Sequence, residues 1–105
     1  MDHTLIKIKR LVLKGKYEFR FSAEIQLAND GLTKDDALES ILNADYLGKK
    51  KSTSKDKLKP KESVYIIESF TFDGILIYTK GIIRKLENQD TFYIIISAKR
   101  STLGG

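Results

Sequence analysis

The chain has no cysteine and a single histidine, His3, and these two scarcities exclude a good deal of chemistry. Without thiolates or a histidine cluster, the usual structural and catalytic zinc sites cannot be assembled. Cys–His catalysis is excluded as well, and a histidine-based triad would have only His3 to draw on. Neither GxxxxGK[ST] nor GxGxxG occurs, so nothing implies a nucleotide-binding loop. No disulfide framework is available, which fits a reducing cytoplasm. No apolar run approaches the ~20 residues that span a bilayer. The opening MDHTLIKIKR interleaves its lysines with apolar residues, unlike the basic-then-apolar order of a signal peptide. An enzyme built from this set would work with Lys, Arg, Tyr, Glu and Ser, and no metal or cofactor is expected. With 105 residues and 41% hydrophobic content, the chain is expected to fold as one domain, 1–105, around one core.

Positive charge is present and unevenly placed. The segment 47–61, LGKKKSTSKDKLKPK, holds seven of the nineteen basic residues and one of the fourteen acidic ones. It nets +6, which leaves −1 for everything else and accounts for the whole balance of +5. A concentrated cationic field recruits and orients polyanions as a uniform scatter would not. Read alone, such a block is more often a solvated, flexible lysine loop.

Periodicity divides the chain in two. Leu5, Ile8 and Val12 follow helical spacing, with Lys7, Lys9, Arg10 and Lys14 left for the outside and Gly15 as the stop. Tyr17 to Phe21 alternates and reads as a short extended piece. Ser22 then reads as the cap of a helix carrying Ala23, Ile25, Leu27 and Ala28, which ends at Asn29-Asp30-Gly31. Thr33-Lys-Asp-Asp36 is a capping-box variant opening a third helix through Ala37, Leu38, Ile41 and Leu42. The second half is β-branched and aromatic. Ser63–Phe72, Ile75–Lys85 and Thr91–Lys99 read as strands, with Asp73-Gly74 as a hairpin turn and 86–90 as a polar loop. Residues 46–54 add a candidate first strand. The expected fold is α+β, with short N-terminal helices packed on a C-terminal antiparallel meander of three to four strands.

Alternation assigns faces within these strands. Phe92, Ile94, Ile96 and Ala98 are expected to face the core, with Tyr93, Ile95, Ser97 and Lys99 opposite. Leu76, Tyr78, Lys80, Ile82 and Arg84 share one face of the middle strand. Tyr65, Ile67, Ser69 and Thr71 oppose Val64, Ile66, Glu68, Phe70 and Phe72. The face open to water is expected to hold Tyr65, Tyr78, Lys80 and Lys99. Tyrosines between cations suit RNA, because rings stack on bases and cations hold phosphates. Half-buried strands are tyrosine-rich for structural reasons too.

Three pieces then carry a resemblance: HTLIKIKRLVLKGKYEFRFSA, NDGLTKDDALESI, and the series KKKSTS, ESVY, ILIYTKG and ISAKR. Together they resemble the RelE-superfamily ribonuclease toxins, in particular the MqsR-like branch of type II toxin–antitoxin systems, from His3 to Arg100. The resemblance implies a RelE-like fold, metal-independent endoribonuclease activity in the cytoplasm, and a cognate antitoxin as partner. Position by position, it implies Lys51, Tyr78 and Lys99 as catalytic residues, with Lys49 or Lys50 able to substitute for Lys51. A polar residue falls at Glu62 or Ser63 where MqsR relatives carry an amide, and Glu62 is the candidate base. Ser22 stands where many relatives of a neighbouring group have histidine, so a histidine-dependent step has no counterpart here.

Metal-free RNA cleavage uses the ribose 2′-OH against the adjacent phosphate, and needs a base, an acid and cations for the charge gathering on phosphorus. Clustered lysines raise one another's ionisation cost, which would bring one towards proton transfer near neutral pH. In this reading Lys49, Lys50, Lys80 and Arg84 hold flanking phosphates, and Tyr65 or Tyr93 stacks on a base. Two other readings use the same sheet: a non-catalytic RNA-binding module, and a protein-interaction domain. DNA is disfavoured, because no helix shows a basic base-reading face.

Overall fold

Each helix can be traced to a local signal and a packing face. A computed structural model describes residues 2–51, 63–85 and 91–102. Helix α1 (His3–Leu13) opens on Asp2, whose Oδ1 accepts from Thr4 N at 2.7 Å, and buries Leu5, Ile8, Leu11 and Val12. Helix α3 (Lys34–Asn43) opens on the expected capping box, with Asp36 N donating to Thr33 Oγ1 (3.1 Å) and Thr33 N donating to Asp36 Oδ2 (2.9 Å). It buries Ala37 and Ile41. Helix α2 (Phe21–Asn29) differs from expectation. Its N-cap is Arg20, with no side-chain cap, and Ser22 lies in the first turn. The Ser22 hydroxyl donates instead to Ile96 O, at 3.0 Å.

Strands β1 (Tyr17–Phe19), β2 (Gly48–Lys51), β3 (Ser63–Phe70), β4 (Leu76–Lys85) and β5 (Thr91–Arg100) form one sheet in the order β1-β5-β4-β3-β2. The architecture is α+β, as the order of patterns implied. The sheet is mixed and five-stranded, however: β2 to β5 pair antiparallel, while β1 pairs parallel with β5. The extended piece at Tyr17 is therefore a strand, completing half of the β5 edge. Beyond it, α2 serves the same edge with side chains. Ser22 bonds Ile96 O, Gln26 Oε1 accepts from Ala98 N (3.0 Å), and Asp30 Oδ2 accepts from Arg100 N (2.8 Å). The spacing matches: four helical residues rise about 6.0 Å, and two strand residues about 6.6 Å. Exposed strand edges invite pairing with other chains, and this one is closed.

The hairpin between β3 and β4 is one residue longer than the Asp73-Gly74 turn suggested. Gly74 N donates to Thr71 O (3.0 Å) and Thr71 N to Ile75 O (2.9 Å), so the loop is Phe72-Asp73-Gly74. Gly74 takes φ 84°, the left-handed position that a three-residue hairpin loop requires. Helix α3 pins this turn, since Glu39 accepts from Phe72 N and Asn43 Nδ2 donates to Phe70 O at 3.1 Å.

One irregularity resets the last strand. Lys80 pairs with Ser97 but Gly81 with Ile95, so Ile96 is an extra residue, a β-bulge. Tyr93, Ile95 and Ala98 consequently face the helices, and all three are fully buried in the core cluster with Leu5, Ile8, Leu27, Ile41, Ile67 and Ile77. Of the expected core face, Ala98 holds, whereas Phe92 and Ile94 pair with Arg84 and Ile82 on the opposite face and Ile96 is the bulge residue. Gly81 makes room for this arrangement, because a Cβ there would run into Tyr93 Cζ and lie 2.5 Å from Tyr93 Oη.

Candidate functional site

On the sheet face away from the helices, direct pairing builds two cross-strand rows. Glu68 pairs with Tyr78 and Tyr78 with Lys99; one step along, Ile66 pairs with Lys80 and Lys80 with Ser97. Neighbouring antiparallel strands lie about 4.8 Å apart, so each row sets three side chains across about 10 Å. Glu68, Tyr78, Lys80, Ser97 and Lys99, with Ser101 and Thr102 from the following segment, line an open pocket of about 400 Å³. Lys99 Nζ stands 5.7 Å from the centre of the Tyr78 ring, within cation–π range. The Ser101 hydroxyl donates to Glu68 Oε2, which orients the carboxylate towards the end of β5. Ser97 Oγ donates to Gln26 Oε1 at 2.8 Å, tying the pocket wall to α2.

Chemically the pocket combines one carboxylate, one phenol, two ammonium groups and three hydroxyls. It offers a proton acceptor, proton donors and anion-binding charge within one cavity, on strands rather than loops. Among the described residues, no three His, Cys, Asp or Glu side chains come together as metal ligands would. No helix among them is long and apolar enough to cross a membrane.

The sequence-derived candidates separate into groups. Tyr78, Lys80 and Lys99 are brought together in the pocket. Arg84 shares their face, two pairs further along β4 and outside the pocket lining. Tyr65 is on the other side, packed partly buried against the core beneath the helices. It pairs with Gly81, at a helix-facing position, so the open-face assignment was wrong for the whole of its alternate set. Tyr93 is fully buried, and the β5 bulge is the reason: it cannot stack on a base. Burial raises the Tyr93 hydroxyl well above the ordinary tyrosine range, and its Oη has no hydrogen-bond partner among the described residues. Lys49, exposed on β2, pairs with Tyr65 and so stands on the helix side of that edge. Lys50 pairs with Val64 and Lys51 with Ser63 at the sheet's margin. Glu62 and residues 52–61 lie outside the described residues, as does the 86–90 loop. His3 is exposed at the start of α1.

Sequence reasoning missed Glu68, Ser97 and Ser101. A usable signal for Glu68 existed in the hairpin. Counting outward from a three-residue loop pairs residue 68 with 78, whereas a two-residue loop pairs it with Thr79.

No family model, curated protein or solved structure matches this chain.

Proposed function

We propose that the chain is a metal-independent endoribonuclease of the RelE-superfamily, MqsR-like toxin kind, acting in the cytoplasm and neutralised by a cognate antitoxin. The observation that carries the catalytic reading is the Glu68–Tyr78–Lys99 row, with Lys80 beside it in the same open pocket. Glu68 takes the base role first given to Glu62. It accepts the proton of a ribose 2′-OH as O2′ bonds to the adjacent phosphorus. The P–O5′ bond breaks, and Tyr78 supplies the proton to the leaving O5′. The products are a 2′,3′-cyclic phosphate and a 5′-hydroxyl, so atoms and charge balance without a co-reactant. Lys99 and Lys80 bind the non-bridging oxygens, where negative charge grows in the transition state. Single-stranded RNA fits an open sheet face, because unpaired nucleotides can lie across it. The lysine-rich segment 47–61, which includes Lys49, Lys50 and Lys51, adds attraction for the RNA backbone or for an acidic antitoxin.

The experiment is incubation of the protein with long single-stranded RNA in EDTA, beside a Glu68→Gln/Tyr78→Phe/Lys99→Ala variant with an unchanged circular dichroism spectrum. Fragments from the parent protein alone, ending in cyclic phosphates, support the proposal. RNA that is bound but left intact points to a non-catalytic binding module. No binding at any salt concentration points to a protein-interaction surface.

A further inference from the structure

With Tyr65 and Tyr93 turned to the core, the pocket has phosphate-binding charge but neither of the aromatic rings first expected for a base. The hairpin end of the same face supplies one. Phe70 is two residues beyond Glu68 in β3 and pairs with Leu76, itself two residues before Tyr78 in β4. It therefore points to the pocket side of the sheet, about 6.7 Å along the strand from the catalytic row. Phe70 is 55% exposed and takes no part in the core cluster, while Phe72 at the adjoining turn is 82% exposed.

Its backbone is held firmly. Asn43 Nδ2 bonds Phe70 O at 3.1 Å, Glu39 accepts from Phe72 N, and Thr71 N bonds Ile75 O at 2.9 Å. A water-exposed phenylalanine on a pinned hairpin loses little freedom when a flat ligand covers it, so more of the contact energy appears as affinity. Continuity with the cationic pocket identifies the ligand, since a strand whose phosphate sits between Lys80 and Lys99 carries its next base about one nucleotide away.

We infer that Phe70 is the stacking platform for an unpaired nucleobase flanking the phosphate held in the Glu68–Tyr78–Lys99 pocket. This rests on the ribonuclease reading and adds a base-binding subsite to it. Stacking of this kind tolerates any base and requires that base to be unpaired, so the subsite selects single-stranded over duplex RNA.

The test uses two short, non-cleavable 2′-O-methyl oligomers, an oligoadenylate and an abasic strand of equal length, with binding read by fluorescence anisotropy. Phe70→Ala weakens oligoadenylate binding by about tenfold, the size of one base–aromatic stack, and leaves the abasic strand unaffected. The chain has no tryptophan, so Phe70→Trp installs a single reporter. It retains affinity, and its emission is quenched by oligoadenylate alone. Unchanged oligoadenylate affinity in Phe70→Ala, with Lys80→Ala still weakening both oligomers, overturns the stacking site and leaves the phosphate pocket standing. Equal loss on both oligomers also overturns it, because the effect is then not on the base. Failure of the parent protein to bind either strand overturns the subsite and the ribonuclease reading together.

Discussion

Replacing Gly81 with alanine puts a methyl group where the structure has no space for one. The new Cβ would meet Tyr93 Cζ, lie 2.5 Å from Tyr93 Oη and 2.9 Å from Ile94 O. Neither neighbour yields easily. The Tyr93 ring is fully buried, and the Ile94 carbonyl belongs to the central β4–β5 pairing. Overpacking of a tight site costs about 1–3 kcal/mol, and two unyielding neighbours argue for the upper end. Removing a glycine from a strand returns about 0.5–1 kcal/mol. The net is a loss of about 2 kcal/mol. For a domain of about 100 residues each kcal/mol moves Tm by roughly 4–8 °C, so a fall of about 8–16 °C is expected. Urea and thermal unfolding of Gly81→Ala, Tyr93→Leu and the double variant provide the check. With the ring gone, most of the alanine penalty should vanish, giving a coupling energy of about 1–2 kcal/mol. A Gly81→Ala protein within about 0.5 kcal/mol of the parent would refute the reasoning. So would an equal penalty in the Tyr93→Leu background.

The other predictions concern the same fold and face. Tyr93→Phe removes a buried hydroxyl without a partner among the described residues, and should stabilise the domain by about 1 kcal/mol in urea unfolding. Because burial raises the folded-state pKa of Tyr93 above its unfolded value near 10, the folded state keeps a proton that the unfolded state releases. Stability from this group is therefore intact below pH 10 and lost above it, by up to about 1.4 kcal/mol per pH unit; Tyr93→Phe should lose less than the parent across that range. Gln26→Ala deletes the acceptor for Ser97 Oγ and for the buried Ala98 N–H. A loss of about 1–3 kcal/mol is expected, with amide exchange at Ala98 speeding up more than at Ile67. If Lys80 contacts one phosphate, Lys80→Ala should make the slope of log K against log salt shallower by about 0.7 on single-stranded RNA.

How far the sequence could be read depended on whether each signal was local. Helices α1 and α3 were legible because apolar spacing and the Thr33–Asp36 box lie within one or two turns of chain. Ser22 was misread because its chemistry suits a cap, while its actual partner, Ile96 O, is 74 residues away. The parallel partner of Tyr17–Phe19 was hidden for the same reason. Alternation grouped the β4 residues correctly, which is why Tyr78 and Lys80 were found on one face, and in β5 it grouped Lys99 correctly with Ser97, both beyond the bulge. In β5 it failed at Ile96, where the bulge depends on Tyr93 packing over Gly81 rather than on any turn residue. In β3 the grouping held but its side was inverted, since a strand flanked by apolar residues on both faces does not announce which one the helices cover. Glu68 was lost to a one-residue error in loop length, because a slip of one residue changes every cross-strand partner.

The claim that Glu68, Tyr78 and Lys99 act as one site is tested most directly by single-turnover cleavage of a single-stranded RNA in EDTA. The proteins to compare are the parent, Glu68→Gln, Lys99→Ala and the double variant, beside a substrate carrying one 2′-deoxyribose at the cut. Groups acting in one transition state are strongly non-additive. Each single change should slow cleavage at least about 100-fold, the double variant should be little worse than the slower single, and the deoxy position should resist cutting. Cleavage at parental rate by either single variant, or cutting at the deoxy position, would contradict the account.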